Sequence, residues 1–290
     1  IDYSLMDKYY FDASFRNDAS SRFGRNFRNA QFWAVGGMWK IKREGFMSDV
    51  MWVTDLNLKA SYGTQGNASL GSDYGHYGLV GSMSKYGDKP ATGVGQPENP
   101  NLTWEKAQDY KISLDFGMFG DRLSGIVEGY MRHSTDVVVS SKIPSTTGYT
   151  YQKFNSADIL NKGIEFTLNG KILDIRDFRM NASFNLSYNI NKVLKYDRPD
   201  KLTASTRYWE GYPTDALFIG KLDGLNHEGL YQYKLRPDAS ISDVKDYQVA
   251  DNYRYYLGTT AAPFTGGFNL SISWKGLSLS CFGALSWGSK

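Results

Sequence analysis

Between residues 177 and 191 nearly every second position is apolar. The apolar set is Phe178, Met180, Ala182, Phe184, Leu186, Tyr188 and Ile190. The positions between them carry Arg, Asn or Ser. A period of two predicts an extended strand with two chemically different faces. Strands in soluble proteins usually have about 5–6 residues, whereas a strand tilted across a bilayer needs roughly 9–11. An apolar face of this length needs either lipid or a second sheet against it.

The same alternation recurs along the chain and predicts roughly nine strands. The candidate segments are 9–17, 31–42, 55–64, 109–118, 121–135, 160–170, 177–191, 267–275 and the stretch from 277 to the end. In most of these segments the residues opposite the apolar set are Asn, Ser, Lys or Asp. The pattern therefore favours one all-β architecture with a dry face and a wet face.

Short and long connections alternate between these segments. The short ones are 117–121, 171–177 and 274–277, and the long ones are 65–104, 136–158 and 193–263. Successive connections between antiparallel neighbours lie at opposite ends of a sheet. All the long loops should therefore lie at one end, an asymmetry typical of outer-membrane barrels.

Composition narrows the class of protein further. The chain has 290 residues, of which 41% are hydrophobic and 15% aromatic, so a disordered chain is not expected. The net charge of +3 gives no indication of nucleic-acid binding. Cys281 is the single cysteine, so neither an intrachain disulfide nor a multi-cysteine metal site is expected. The sequence contains no stretch of about 18 apolar residues, so no transmembrane helix is predicted.

A soluble β-sandwich is the main structural alternative, since its strands also alternate. Strand length, the polar face rich in Asn and Ser, and the one-sided loops favour a transmembrane β-barrel instead.

Six segments, in this order, carry a resemblance to a known family. They are RNDASSRFGRNFR at 16–28, DLNLKASYGTQGN at 55–67, NPNLTWEKAQDYKISLDFGMFGDRLSG at 99–125, ILNKGIEFTLNG at 159–170 with FNLSYNINKV at 184–193, EGYPTDALFIGKLDGL at 210–225, and PFTGGFNLSISWKG at 263–276. Together they resemble the C-terminal barrel half of SusC/RagA-type TonB-dependent outer-membrane transporters. The resemblance implies an antiparallel transmembrane β-barrel, of which residues 1–290 supply a portion without the plug and N-terminal segments.

The resemblance also implies a function. It predicts active, TonB-coupled import of an oligosaccharide or oligopeptide across the bacterial outer membrane, with a SusD-like surface lipoprotein as a lid. TonB would act through the absent N-terminal part, and outer-membrane lipid and lipopolysaccharide would surround the barrel. No enzymatic activity, cofactor or nucleic-acid partner is expected. The alternatives are a passive porin or receptor barrel and a soluble β-sandwich that acts as an adhesin or sugar-binding protein.

Aromatic residues on the long loops are the candidate contacts for substrate or lid. They are Tyr74, Tyr77, Tyr149, Tyr208, Trp209 and Tyr212. Aromatic rings stack on sugars and anchor protein interfaces, although packing within the loops would explain them equally well.

Other residues allow weaker predictions. The basic turn with Arg22, Arg25 and Arg28 fits either lipopolysaccharide binding or a solvated loop. The three histidines are far apart in sequence, which does not favour a metal or catalytic site. Gly163 is expected to let its strand kink or bulge.

Overall fold

The computed structural model describes residues 1–197, 209–235 and 254–290, and its main feature is one antiparallel sheet of ten strands. The strands of this sheet, in spatial order, are β1 (Asp2–Leu5), β2 (Tyr9–Ala19), β3 (Asn29–Lys40), β4 (Val53–Asn67), β7 (Glu105–Met118), β8 (Leu123–Lys142), β9 (Tyr151–Ile175), β10 (Phe178–Tyr196), β15 (Phe264–Trp274) and β16 (Leu277–Trp287). The edge strands β1 and β16 are not paired with each other, so the sheet is open.

Three small two-stranded sheets lie in the long connections. The first is the hairpin of β5 (Leu79–Tyr86) and β6 (Lys89–Gln96). The second pairs β11 (Ala216–Gly220) with β14 (Arg254–Thr259), and the third pairs β12 (Leu222–Leu225) with β13 (Tyr231–Tyr233). In the described part of the chain, no helix is long and apolar enough to cross a membrane.

The pairing register divides the ten-stranded sheet into an apolar face and a polar face. One row of directly paired residues on the apolar face is Trp39, Leu58, Leu114, Val127, Phe166, Leu186, Gly266 and Leu285. The neighbouring row on the polar face is Lys59, Ser113, Glu128, Glu165, Ser187, Thr265 and Ser286. The two-sided pattern of the sequence is therefore confirmed from β4 to β16, whereas the polar row continues with Met38 on β3 and Tyr10 on β2.

The apolar face is not covered by any other described element. Ile112, Ile164 and Phe268 lie at its centre, yet 55%, 59% and 44% of their surfaces are exposed. In a sandwich these side chains would be buried against a second sheet. The sandwich alternative is therefore wrong, and the apolar face requires lipid as its environment.

The connections confirm the predicted asymmetry. The five at one end, called the short-turn end, are 6–8, 41–52, 119–122, 176–177 and 275–276. The four at the other, called the long-loop end, are 20–28, 68–104, 143–150 and 197–263. The connection 41–52 is the exception in length, and it holds two short 3-10 helices.

Two details of the predicted strands in the ten-stranded sheet are wrong. The four-residue strand β1 was not expected, because so short a segment offers little alternation to detect. The predicted loop 136–158 is only 143–150, since β8 and β9 continue far beyond the point where the alternation weakens. With 25 residues, β9 is about 80 Å long. The strands thus project well past a bilayer at the long-loop end.

Gly163 does not lie at a kink or bulge, since β9 keeps a regular register there with both neighbours. The residue is small for a steric reason. A Cβ atom at this position would collide with the hydroxyl of Tyr130 and the carbonyl of Tyr188. The absent side chain leaves room for the Tyr130 ring, whose hydroxyl donates to Asn189 Oδ1 at 2.9 Å.

Both clusters of buried hydrophobic side chains lie at the long-loop end. The first contains Phe23, Phe32, Leu70, Leu102 and Trp104, and the second contains Val139, Ala157, Val193 and Tyr196. Because the membrane-spanning part has no dry interior, the packed core of the described residues is a structure of the loops and strand extensions.

At the short-turn end, the carboxylate of Glu44 ties the connection 41–52 to the first hairpin. It accepts hydrogen bonds from the Tyr9 hydroxyl at 2.6 Å, Lys8 Nζ at 3.0 Å and Trp39 Nε1 at 3.1 Å. These donors, with the Tyr9 hydroxyl first in importance, hold the pKa of Glu44 at about 2, below its ordinary value of 4.5.

A lowered pKa makes this contribution to stability dependent on pH. It is complete above about pH 4.5 and is lost as the pH falls toward the folded-state pKa of about 2. We expect the Glu44→Gln variant to lose less stability than the unmodified protein between pH 6 and pH 3, as measured by urea unfolding followed by tryptophan fluorescence. Asp49→Asn, an exposed carboxylate of the same connection, is the control. An identical pH response in the unmodified protein and Glu44→Gln would contradict the assignment.

Candidate functional site at the polar face and its mouth

The polar face carries charges in compensating pairs. The Lys111 ammonium lies 2.7 Å from Glu128, and Arg132 Nε lies 3.5 Å from Asp109 Oδ1. Lys59 is also paired, with Asp115 on the adjacent strand. A row of charged and amide side chains is stable only where water reaches it, so this face fits the wet interior of a barrel.

A cavity of about 570 Å³ opens on the polar face where β4, β7, β8, β9 and β10 approach the long-loop end. Its polar lining residues lie on these strands, except for Thr214, which comes from the last long loop. The others are Gln65, Asn67, Glu105, Lys106, Arg132, Ser134, Asn161 and Asn191. We call it the mouth cavity.

Hydrogen bonds fix several of these side chains before any ligand arrives. Asn191 Nδ2 donates to Asn161 Oδ1 at 2.7 Å, and Asn191 Oδ1 accepts from the Thr214 amide at 2.7 Å. Asn67 Nδ2 donates to Glu105 Oε2 at 2.6 Å. The cavity therefore presents held amide donors and acceptors, which suit hydroxyl or peptide groups of a polar solute.

Hydrogen bonds hold the segment that leads into Glu105, a lining residue of the mouth cavity, against its neighbours. Asn155 bonds to both backbone groups of Thr103, at 2.8 and 3.0 Å, and Asn99 Nδ2 donates to the Lys153 carbonyl at 2.6 Å. Trp104 Nε1 donates to the Arg28 carbonyl at 3.1 Å. The extension of β9 is thus fastened to the segment before β7, and that segment to the loop 20–28.

Of the six aromatic residues predicted from the sequence, Tyr74 and Tyr77 form one exposed pair. Their ring centroids are 6.5 Å apart, and the residues are 61% and 45% exposed. The ring of His76 lies against Tyr77 at 3.9 Å, and its Nδ1 is 3.1 Å from the Arg22 carbonyl. His76 is itself 6% exposed, so the Tyr77 ring packs against a buried side chain.

Trp209 and Tyr212 form a second group, with partners that the sequence did not indicate. Trp209 stacks on Phe218 at 4.6 Å, and Tyr212 contacts both Phe218 at 5.1 Å and Tyr256 at 5.0 Å. These rings therefore pack on the small sheet of β11 and β14.

The other two predicted residues are not part of either group. Tyr149 lies in the turn 143–150, and among the described residues no ring contact joins it to the two aromatic groups. Tyr208 lies outside the described residues. The contact role of all six stays a prediction.

The mouth cavity is the feature that sequence reasoning missed. Gln65, Asn161 and Asn191 continue the polar faces of their strands, and that signal was available in the alternation. Their convergence with Thr214 depends on strand stagger and on how a distant loop folds back, which no local pattern shows.

No group of His, Cys, Asp and Glu suited to a metal ion occurs in residues 1–197, 209–235 and 254–290. The basic turn does not present three free guanidinium groups, since Arg22 pairs with Asp73 at 2.7 Å and also donates to the Ala68 carbonyl.

The open sheet, its lipid-requiring face and its one-sided loops define part of an outer-membrane β-barrel. The chain matches the family model described as TonB dependent receptor-like, beta-barrel, over residues 1–284. It belongs to that family and is an outer-membrane protein.

Several relatives support the SusC/RagA type. The TonB-dependent receptor SusC of Bacteroides thetaiotaomicron is 34% identical over 202 residues, which cover 67% of this chain and 20% of SusC. The TonB-dependent receptor P26 of Formosa agariphila is 29% identical over 304 residues, covering 97% of this chain and 30% of P26. The solved RagAB peptide transporter superposes with a TM-score of 0.85 at 32% identity, covering 99% of this chain and 32% of the transporter chain.

The chain thus spans between a fifth and a third of the length of these relatives. In the family's orientation, the long-loop end is extracellular, the short-turn end is periplasmic, and the polar face lines the lumen.

Proposed function

We propose that the protein contributes barrel wall and outer loops to a transporter that imports a nutrient oligomer across the outer membrane. Import is coupled to TonB, and a SusD-like surface lipoprotein covers the extracellular mouth. The solute is an oligosaccharide or an oligopeptide, and this chain provides its polar path without chemical conversion.

The observation that carries the proposal is the polar mouth cavity at the outer end of a water-lined wall. Its fixed amide groups offer exchangeable hydrogen bonds to a hydroxyl- or peptide-rich solute as that solute enters the lumen. Family membership adds support, since SusC is named a TonB-dependent receptor and RagAB is named a peptide transporter.

The test uses the full-length protein in its native membrane. Cells with and without the transporter receive labelled oligosaccharides and oligopeptides of graded size, and uptake is followed with and without a protonophore. We expect uptake of one solute class to require both the transporter and the proton-motive force. Uptake that persists in the presence of protonophore would replace this proposal with the passive porin alternative.

Purification of the transporter in detergent tests the lipoprotein partner, which we expect to co-elute with it.

The exposed tyrosine pair allows a sharper prediction. Replacement of Tyr74 and Tyr77 together by Ala should weaken capture of substrate or lid by about thirtyfold, because aromatic anchors commonly contribute about 1 kcal/mol or more each. Binding of solute and of lipoprotein to detergent-purified transporter is measured separately. Tyr231→Ala is the control, since Tyr231 is 71% exposed on the separate hairpin of β12 and β13. Unchanged binding of both partners would remove the pair from the site.

A further inference from the structure

The lipid-facing side of the sheet contains a groove that the transport proposal does not use. It has a volume of about 600 Å³, within the roughly 300–1,000 Å³ range of small-molecule pockets. Small residues, Ala60 and Gly129, form its floor, and Ile112, Ile164 and Ile190 form its sides. The first four pair in a row that ends on Tyr188, and Ile190 lies two residues beyond Tyr188, so all five belong to the apolar face.

A cation interrupts the apolar row at the outer end of this groove. Lys162 pairs directly with Met131 on one side and Ile190 on the other, and its side chain is exposed. Lys192 follows Ile190 on the same face, so it is the diagonal neighbour of Lys162 at a Cα distance of about 7–8 Å. Within the described ranges, neither lysine has an ion-pair partner.

The height of the lysine pair above the periplasmic turns places it at the extracellular surface of the membrane. Lys162 lies thirteen residues before Ile175, where β9 ends at the periplasmic side. At about 3.3 Å per residue and a tilt of about 40°, this is roughly 33 Å above the periplasmic turn. The hydrocarbon core is about 30 Å thick, so both ammonium groups reach the headgroup level while the groove below lies in acyl chains.

We propose that this groove, with Lys162 and Lys192, is a binding site for a phosphorylated lipid of the outer leaflet. One acyl chain occupies the groove over Gly129, and the two ammonium groups contact the phosphate. The charges argue for this occupant, because two adjacent unpaired cations complement a phosphate at the height where lipid phosphates lie. A second copy of the chain fits poorly, since a symmetric contact would bring the same lysines together.

The test measures binding of diphosphorylated lipid A to the full-length transporter in phosphatidylcholine nanodiscs, by native mass spectrometry. The Lys162→Gln and Lys192→Gln changes should each weaken binding about fivefold. Lys275→Gln, the same charge change in the periplasmic turn 275–276, should leave binding unchanged. Equal lipid binding by the unmodified protein and by a variant that carries both Lys162→Gln and Lys192→Gln would overturn the proposal.

The groove itself is tested by Gly129→Leu, which fills it while both lysines remain. The backbone tolerates a side chain there, because a Cβ atom would only touch Ile112 at 3.7 Å. We expect binding to fall severalfold. Unchanged binding would show that no acyl chain enters and would overturn the site.

Two measurements on the unmodified protein complete the test without any risk of misfolding. Dephosphorylated lipid A should bind several times more weakly than the diphosphorylated form, and inorganic phosphate should not displace the lipid. Displacement by phosphate alone, or saturation of the groove by a cross-linked second copy, would overturn the lipid assignment. Each of these results is independent of whether solute is transported.

Discussion

Phe184→Arg should impair assembly of the barrel, whereas Asn185→Arg should leave it nearly unaffected. Phe184 is directly opposite Leu168 and Phe268 on the lipid face. It lies six residues above the start of β10, which is about 15 Å and hence near the midplane of a bilayer. Arginine on the lipid face at that depth costs about 2–4 kcal/mol. Asn185 pairs with Thr167 and Gly267 on the polar face, where a guanidinium group stays in water.

The measurement is the fraction of folded protein in the outer membrane, followed by the heat-dependent mobility shift of barrels on denaturing gels. Asn185→Arg is the matched control, because it introduces the same side chain one position away at the same depth. Equal folded fractions for the two variants would contradict the assignment of the faces, and a selective loss with Asn185→Arg would reverse it.

The strands and their faces could be predicted because alternation is a local property. Phe184 and Asn185 are neighbours of opposite polarity in an alternating strand. This alternation assigns their side chains to opposite faces, and no long-range contact is needed for the assignment. The loop asymmetry followed from antiparallel order alone. The short strand β1 and the outward continuation of β9 were missed, because four residues or a mixed sequence carry too little periodicity.

The sites could not be predicted to the same degree, since they depend on which strands become neighbours and by how much they are staggered. The sequence shows Lys162 only as a single cation in a strand. The pairing register is needed to show that Lys192 is its diagonal neighbour. The sequence shows Trp209 and Tyr212 only as aromatic residues of a long loop, and it does not show that Phe218 and Tyr256 pack against them. Gly163 was correctly singled out, but its reason lies in the Tyr130 ring on the next strand.

The loop core at the extracellular end gives the second large effect. Trp104 is 5% exposed, its ring lies 4.9 Å from Phe23 and 5.9 Å from Phe32, and its indole nitrogen donates to the Arg28 carbonyl. Trp104→Ala removes this packing and one of the two donors to the Arg28 carbonyl, which still accepts from the Ser20 amide. The lost aromatic packing dominates, so we expect a local loss of about 3–5 kcal/mol.

Because the strands below Trp104 are held by the sheet's own hydrogen bonds, Trp104→Ala should loosen the mouth without preventing barrel assembly. The expected result is a normal heat-dependent mobility shift together with rapid cleavage in 20–28 or 68–104 by a protease added outside intact cells. Trp52→Ala, with 52% of the tryptophan exposed at the periplasmic end, should leave both loops resistant. Glu105, which lines the mouth cavity, directly follows Trp104 in the chain, so we expect solute capture to fall in parallel with protease resistance. Resistant loops in Trp104→Ala would mean that the polar contacts of Asn99 and Asn155 hold the mouth without the aromatic cluster.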